Sequence, residues 1–353
     1  MEQALQEFRD VVASAGAAGK PLRVRGGGTK DWYGQQMDGE ILDTREYSGI
    51  IDYEPTELVI TARCGTPLAE IEAVLAQRNQ MLAFEPPHFG PGSTIGGVVA
   101  AGLSGPGRQA SGAVRDFVLG AALMNGKGET LRFGGQVMKN VAGYDVSRLL
   151  AGSLGTLGLI LDVSLKVLPR PLRETTLRFE LSEARAIEQL NAWGGQPLPV
   201  SASACHGGVL IVRLSGAEAA VRAAKQKMGG EEDAQAGQFW GGLRNQDNVF
   251  FADGDLPLWR LSVPSVAPPL ALDGEQLIEW GGAQRWLRTG LDAGTIRSAA
   301  AQAGGHATLY RGGDKSAGVF HPLAPAVAKI HRNLKNAFDP SGIFNPGRMY
   351  PDL

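Results

Sequence analysis

Cysteine is scarce in this chain: Cys64 and Cys205 are the only two in 353 residues. Their scarcity excludes a disulfide scaffold, and also a self-contained iron–sulfur site, which needs about four thiolates. Long apolar runs are missing too. The longest, Leu149 to Leu161, contains three glycines and is flanked by Arg148 and Asp162, so it is too short to span a bilayer. No basic block occurs. Lys and Arg number 34 against 36 Asp and Glu, for a net charge of -2, and nothing in that balance points to nucleic acid. The first residues, Met1-Glu2-Gln3-Ala4-Leu5-Gln6-Glu7, lack the basic and apolar regions of a signal peptide. A cytoplasmic location is the expectation, with peripheral attachment to a membrane through partners as its variant.

Glycine, by contrast, is abundant at 49 residues, and much of it falls into ordered runs. The first is Arg25-Gly26-Gly27-Gly28-Thr29-Lys30, directly after the strand-like Pro21-Leu22-Arg23-Val24. A second, Gly90-Pro91-Gly92-Ser93-Thr94-Ile95-Gly96-Gly97, continues to Gly102-Leu103-Ser104-Gly105-Pro106-Gly107-Arg108. Gly152-Ser153-Leu154-Gly155-Thr156-Leu157-Gly158 is the third. Glycine permits positive φ and lets a ligand reach the bare backbone. Successive N–H groups then form an anion-binding nest. Two nests can hold a diphosphate from both sides, as a dinucleotide requires. For any single loop, the alternative reading is a simple turn.

The pattern along the chain predicts a helix over 2–15, then strands at 21–25, 40–44 and 57–63. Thr66 reads as an N-cap and Pro67 as the first helical residue. Leu68, Ile71, Val74 and Leu75 give that helix its apolar face. A short helix is expected from Thr94 to Ala101, then a hairpin of strands at 117–124 and 129–133. A strand over 159–168 ends at Pro169 and Pro171. The domain boundary is placed there, dividing the chain into 1–171, 172–325 and a returning tail 326–353. Strands at 175–181, 209–214 and 258–263 alternate with helices at 182–193, 216–228 and 291–303. The second part therefore reads as an α+β layer. Residues 229–248 read as loop, and a last helix runs from Pro325 to Ala337.

Two common nucleotide signatures fail. The candidate for a nicotinamide-type G-x-G-x-x-G, at Gly90, Gly92 and Gly96, is one residue too long and follows the proline-rich Glu85-Pro86-Pro87-His88-Phe89. No segment carries G-x-x-x-x-G-K-[ST]. The combined set of motifs does resemble a known family. Arg25-Gly-Gly-Gly-Thr29, Gly92-Ser-Thr-Ile-Gly-Gly97, Val114-Arg-Asp116, Asn140-Val-Ala-Gly-Tyr-Asp145 and Gly155-Thr-Leu-Gly-Leu-Ile160 look like the FAD-binding domain of the vanillyl-alcohol oxidase/para-cresol methylhydroxylase superfamily. The ending Asp339-Pro-Ser-Gly-Ile-Phe-Asn-Pro-Gly-Arg348 resembles its 2-hydroxy-acid dehydrogenase branch. Chain length and the wording of residues 25–34 are most similar to the family of FAD-binding E subunits of bacterial glycolate oxidases.

The resemblance implies an α+β fold: a two-lobed FAD-binding domain followed by a smaller antiparallel sheet with helices. It implies noncovalent FAD, because no histidine stands in the first loop and no cysteine in residues 102–112. It assigns the pyrophosphate to Arg25, Gly26, Gly27, Gly28, Thr29 and Lys30 on one side. Gly92, Ser93, Thr94, Gly96, Gly97 and Arg108 take the other, with Ser104 and Gly105 near the ribityl chain. Gly155 and Ile160 fall to the adenine or ring end, and Asn345 and Arg348 to the flavin edge. A cation beside flavin N1 would come from Arg348 or Lys139; for both, a solvated surface role is the alternative. The partners implied are a second FAD-binding subunit and an iron–sulfur subunit, and the substrate a small 2-hydroxy acid such as glycolate, oxidised to glyoxylate.

One departure matters. Catalytic relatives carry an H-x-G-D-G-N-x-H segment that binds a divalent metal. Here Gly304-Gly305-His306-Ala307-Thr308-Leu309-Tyr310-Arg311 stands in a similar place, without the acid or the second histidine. No metal is therefore expected. His306, Tyr310 and Arg311 are the weak catalytic candidates, and a lone histidine reads equally as structural. Three functions stay open: a relay subunit whose partner oxidises the substrate, a self-sufficient FAD oxidoreductase acting on another substrate, and a scaffold that has lost flavin chemistry.

Overall fold

A computed structural model describes residues 2–135, 145–252 and 254–353. They fall into two compact units, Met1–Leu103, Ala113–Pro169 and Pro322–Leu353 in one, Ser104–Gly112 and Arg170–His321 in the other.

In the first unit the opening helix, Glu2–Ala18, turns Phe8, Val12 and Ala15 inward. The strand Leu22–Arg25 then pairs in parallel with Glu40–Asp43. A five-stranded antiparallel sheet follows, in the order Ile50–Glu54, Val59–Arg63, Leu159–Lys166, Val118–Met124, Thr130–Gly134. Its central strand, Leu159–Lys166, is buried along nearly its whole length. Ser164 is accommodated there by a hydroxyl pair with Thr61, at 2.8 Å. The helix Leu68–Gln77 buries Leu68, Ile71 and Leu75, the i, i+3, i+7 stripe that its sequence shows. Its start lies one residue away from the expected place. Pro67 is the N-cap, because the Thr66 hydroxyl is used elsewhere: it accepts from the Gly49 N–H and donates to the Arg63 carbonyl.

The short helix Ile95–Ala101 begins at Thr94 and ends on Gly102, at φ 66°. The tail returns alongside the first strand. Phe344 bridges Leu22 in parallel, Leu22 N–H donates to Ile343 O, and Asn345 N–H donates to Leu22 O. These bonds place the chain end next to the strand that delivers the first glycine loop.

The second unit is built on an eight-stranded antiparallel sheet. Its order is Glu231–Glu232, Arg173–Glu180, Val209–Gly216, Val200–His206, Glu275–Glu279, Gln284–Arg288, Leu258–Ser262, His306–Arg311. Helices Glu183–Gly194 and Glu218–Met228 share a core with its first half, and Ala293–Gln302 with the second.

Four of these strands, Val200–His206, Glu275–Glu279, Gln284–Arg288 and His306–Arg311, carry polar residues that hide the alternation. Gln284–Arg288 is buried throughout. Its arginines can be inside because Arg285 donates to the carbonyls of Gly282 and Ala267, and Arg288 to those of Phe250 and Gly254. Buried guanidinium groups need such partners. The expected loop over 229–248 also needs correction. It contains the helix Ala236–Asn245, which buries Ala236, Trp240 and Leu243. Glycine and glutamine dilute that stripe in the sequence. Lys139 and most of the Asn140–Asp145 motif lie outside the described residues.

Candidate functional site

The strand Leu22–Arg25 ends in Gly26-Gly27-Gly28-Thr29-Lys30, and this loop lines a cleft together with Thr94, Gly97, Ala100 and Ala101 from the second glycine region. Leu154, Asn345 and Arg348 complete its wall, with Asp31 and Met37. A second, more apolar cavity shares Val24, Gly26, Gly97, Ala100, Leu154 and Asn345 with the first. It continues inward past Thr44, Cys64, Gly96, Gly155, Gly158, Leu159 and Ile160. The two cavities share these walls and together make up a slot, with a polar outer half and a more apolar inner half.

Close packing of the two loops accounts for the glycines. A Cβ on Gly26 would press on the Thr94 side chain, its Cγ2 3.2 Å away, and a Cβ on Gly27 would overlap the Gly92 carbonyl. Gly28 sits at φ +70°, under the Arg25 guanidinium. Gly96 N–H donates to Cys64 O at 2.9 Å, and a Cβ there would meet Cys64 Cβ at 2.5 Å. The N–H groups of Gly26, Gly27, Gly28 and Thr29 donate to no acceptor among the described residues. Four successive donors without an acceptor among the described residues, on residues that line one cleft, are what an anion-binding nest requires.

Three cations border the cleft, Arg25, Lys30 and Arg348. Among the described residues Lys30 Nζ donates only to hydroxyls, Ser93 Oγ at 2.9 Å and Thr29 Oγ1 at 3.3 Å, and it lies 5.6 Å from the centre of the Phe89 ring. Burial without a paired carboxylate lowers its pKa to about 8. Burial brings Arg348 down to about 10, and the Asp31 charge opposes that shift. One Arg348 nitrogen donates to Lys30 O at 3.0 Å. Arg25 is already engaged, with its Nε 2.7 Å from Asp31 Oδ2. Lys30 and Arg348 are therefore the charges available to a ligand anion.

The remaining expected residues are distributed as follows. Gly92 and Ser93 stand behind the first loop, Gly92 against Gly27 and Ser93 under Lys30. Asn345 faces the slot but is committed to the backbone: Oδ1 accepts from Val24 N–H at 2.8 Å and Nδ2 donates to Leu154 O at 2.5 Å. Gly155 and Ile160 line the inner cavity. Ser104, Gly105 and Arg108 belong to the second unit. There Gly105 O accepts from Trp280 Nε1 at 3.2 Å, and the Arg108 guanidinium stacks 4.2 Å over the Trp280 ring.

His306, Tyr310 and Arg311 share the strand His306–Arg311 but do not converge on one point. Tyr310 lies four positions along the strand from His306, roughly 13 Å away. The His306 ring faces His321, with centroids 6.3 Å apart, and burial with the nearby charges of Arg260 and His321 lowers its pKa. Tyr310 is buried, and its hydroxyl accepts from Gln246 Nε2 at 3.1 Å. Arg311 donates to the Oε1 of the same glutamine, at 3.2 Å. No group of three His, Cys, Asp or Glu among the described residues is placed to hold a metal ion.

The residues present fit a dinucleotide diphosphate. Bare glycine backbone, open N–H donors and two cations without a full complement of anions stand at the outer half, and a more apolar cavity adjoins it. Sequence reasoning missed Cys64, Leu154 and Ala100 as lining. None of them has a signal of its own, since each reaches the slot only through folding. Burial pushes the Cys64 thiol up to about 12, which makes it an inert wall group.

Comparison with known proteins points the same way. A family model described as an FAD binding domain matches residues 3–134. The chain is 51% identical over 335 residues to glycolate oxidase subunit GlcE of Escherichia coli, covering 94% of this chain and 93% of that protein. It is 31% identical over 160 residues to glycolate oxidase subunit GlcD of Bacillus subtilis, covering 44% of this chain and 34% of that one. A mitochondrial D-lactate dehydrogenase [cytochrome] of Saccharomyces cerevisiae matches at 26% over 153 residues, 40% of this chain and 26% of the other. Among solved structures, alkyldihydroxyacetonephosphate synthase superposes with a TM-score of 0.67 at 15% identity, over 97% of this chain and 75% of the other. That likeness concerns the fold alone. No helix among the described residues is long and apolar enough to cross a membrane.

Proposed function

The chain belongs to the glycolate oxidase subunit GlcE family of FAD-linked oxidoreductases, and from that membership we propose that it carries FAD in the slot and relays electrons from a partner subunit that oxidises the 2-hydroxy acid. It is an FAD-dependent subunit of a multi-subunit glycolate oxidase. The finer reading adds a second FAD-binding subunit as the site of glycolate oxidation to glyoxylate, and an iron–sulfur subunit as the next acceptor. Bound FAD supplies an acceptor that takes two electrons together and can return them singly.

This chain's residues supply binding and polarity. Gly26 to Thr29 hold the diphosphate through main-chain N–H groups, while Lys30 and Arg348 neutralise it. Thr94, Gly96 and Gly97 form the opposite wall, and Gly155 and Ile160 border the apolar inner end. Residues 172–325 serve as the docking or substrate-facing layer, and the assembled complex works in the cytoplasm.

The observation that carries the reading is that Gly26–Thr29, whose N–H groups have no acceptor among the described residues, line one cleft with Lys30 and Arg348. The relay role rests on the sequence around His306, which lacks the acid and second histidine of a metal-assisted site. The test is purification of this chain alone. A yellow protein with little glycolate-dependent dye reduction is expected, and activity should rise when the other subunits are added. Full activity of the isolated chain would overturn the relay role, and colourless protein that takes up no FAD would overturn the site.

A further inference from the structure

Lys335 is the one buried residue of the helix Pro325–Phe338. Its surroundings explain how an ammonium can be inside. Nζ donates to Thr156 O at 2.8 Å, to Phe344 O at 2.7 Å and to Asp339 Oδ2 at 2.7 Å. All three of its N–H donors are used. Asp339, itself fully enclosed, accepts from Phe344 N–H at 2.8 Å through Oδ2 and from Ile343 N–H at 3.2 Å through Oδ1. The pair therefore ties the end of the last helix and the tail at Ile343–Phe344, a few residues on, to the third glycine turn at Thr156, which is distant in sequence.

Two of those stretches build the slot. The turn supplies Leu154 and Gly155, and the tail supplies Asn345 and Arg348. Neither Lys335 nor Asp339 reaches either half of the slot. A buried ion pair costs desolvation that packed apolar side chains would avoid, so fold stability alone is a weak reason for one here. The pair does hold backbone carbonyls and N–H groups in fixed register, which an apolar replacement cannot do.

We infer that Lys335 is a positioning residue for FAD binding, acting through the Thr156 turn and the Phe344 tail to set Asn345 and Arg348 against the first glycine loop. The inference rests on the slot being the FAD site and deepens that assignment.

The experiment uses the full chain, stripped of FAD and titrated with FAD, alongside thermal melts of the FAD-free protein. Lys335→Met is combined with Asp339→Asn so that no unpaired buried charge remains. Lost hydrogen bonds of this kind translate to about tenfold weaker FAD binding, with the melt within a few degrees of the parent. Lys335→Arg, which keeps charge and donors, should recover most of the affinity. Added to Arg348→Met, the pair of changes should cost no more than about twofold further, because residues acting through one another are not additive. An unchanged affinity, a fully additive loss or a collapsed melt would each sink the inference. A parent chain that takes up no FAD would instead sink the assignment of the site.

Discussion

Gly27 and Gly92 meet backbone to backbone. A Cβ built on Gly92 would stand 3.6 Å from Gly27 Cα, whereas one built on Gly27 would overlap the Gly92 carbonyl oxygen. The two glycine loops are thus one construction: the second sets the height of the first, whose residues Gly26–Thr29 line the cleft.

Gly27→Ala should therefore weaken FAD binding without unfolding the chain. Relieving the overlap shifts one loop, and overpacking of this kind costs about 1–3 kcal/mol. Thr29→Glu should act more strongly, by setting a carboxylate where the diphosphate charge belongs. Flavin-to-protein stoichiometry after gel filtration checks both, and full retention by Thr29→Glu would remove the first loop from the site.

Lys30 makes the site sensitive to pH, with opposite signs for binding and stability. Its pKa in the FAD-free fold is about 8, below the ordinary lysine value. As pH rises through 8 the ammonium is lost, so affinity for the FAD dianion should fall. Stability of the FAD-free chain should instead gain from Lys30 above pH 8, up to the unfolded value of 10.5, because the unfolded state binds more protons there. Titrations with FAD at pH 7 and pH 9 in parent and Lys30→Met read the first effect. The parent should lose affinity with pH more steeply than the variant. Equal slopes would contradict the assignment.

Asn345 should matter through the backbone it holds. It has φ 41°, a left-handed conformation that asparagine tolerates better than most residues. Asn345→Ala strands Val24 N–H and Leu154 O and adds strain, with a cost of about 2–4 kcal/mol. Asn345→Gly relieves the strain but not the lost bonds, and should fall between alanine and the parent. Chemical denaturation of the three chains gives the order. An alanine variant as stable as the parent would show that the tail is held elsewhere.

How much was legible beforehand differs between the two units. In the first, the glycine loops, the helix Ile95–Ala101 and the strand Leu159–Lys166 carry their own local signals: bare backbone, a Thr94 cap and an apolar run. In the second, strands such as Gln284–Arg288 hide arginines whose partners are carbonyls far along the chain, and a local pattern cannot announce these. His306, Tyr310 and Arg311 are neighbours in sequence, yet strand geometry draws Tyr310 and Arg311 to Gln246 and leaves His306 with His321.

The sequence by itself determined that runs of bare backbone stand at Gly26–Gly28 and Gly96–Gly97, because glycine carries no Cβ to keep a neighbour away from its main chain. Tertiary structure decided which charges stand beside the first of these runs. Lys30 and Arg348 are over three hundred positions apart, and they share a cleft only because Phe344 and Asn345 return beside Leu22 and the buried Lys335–Asp339 pair fixes where that return begins. The bonds between Leu22 and the tail span the whole chain, so they depend on the folded backbone and no short stretch of residues encodes them.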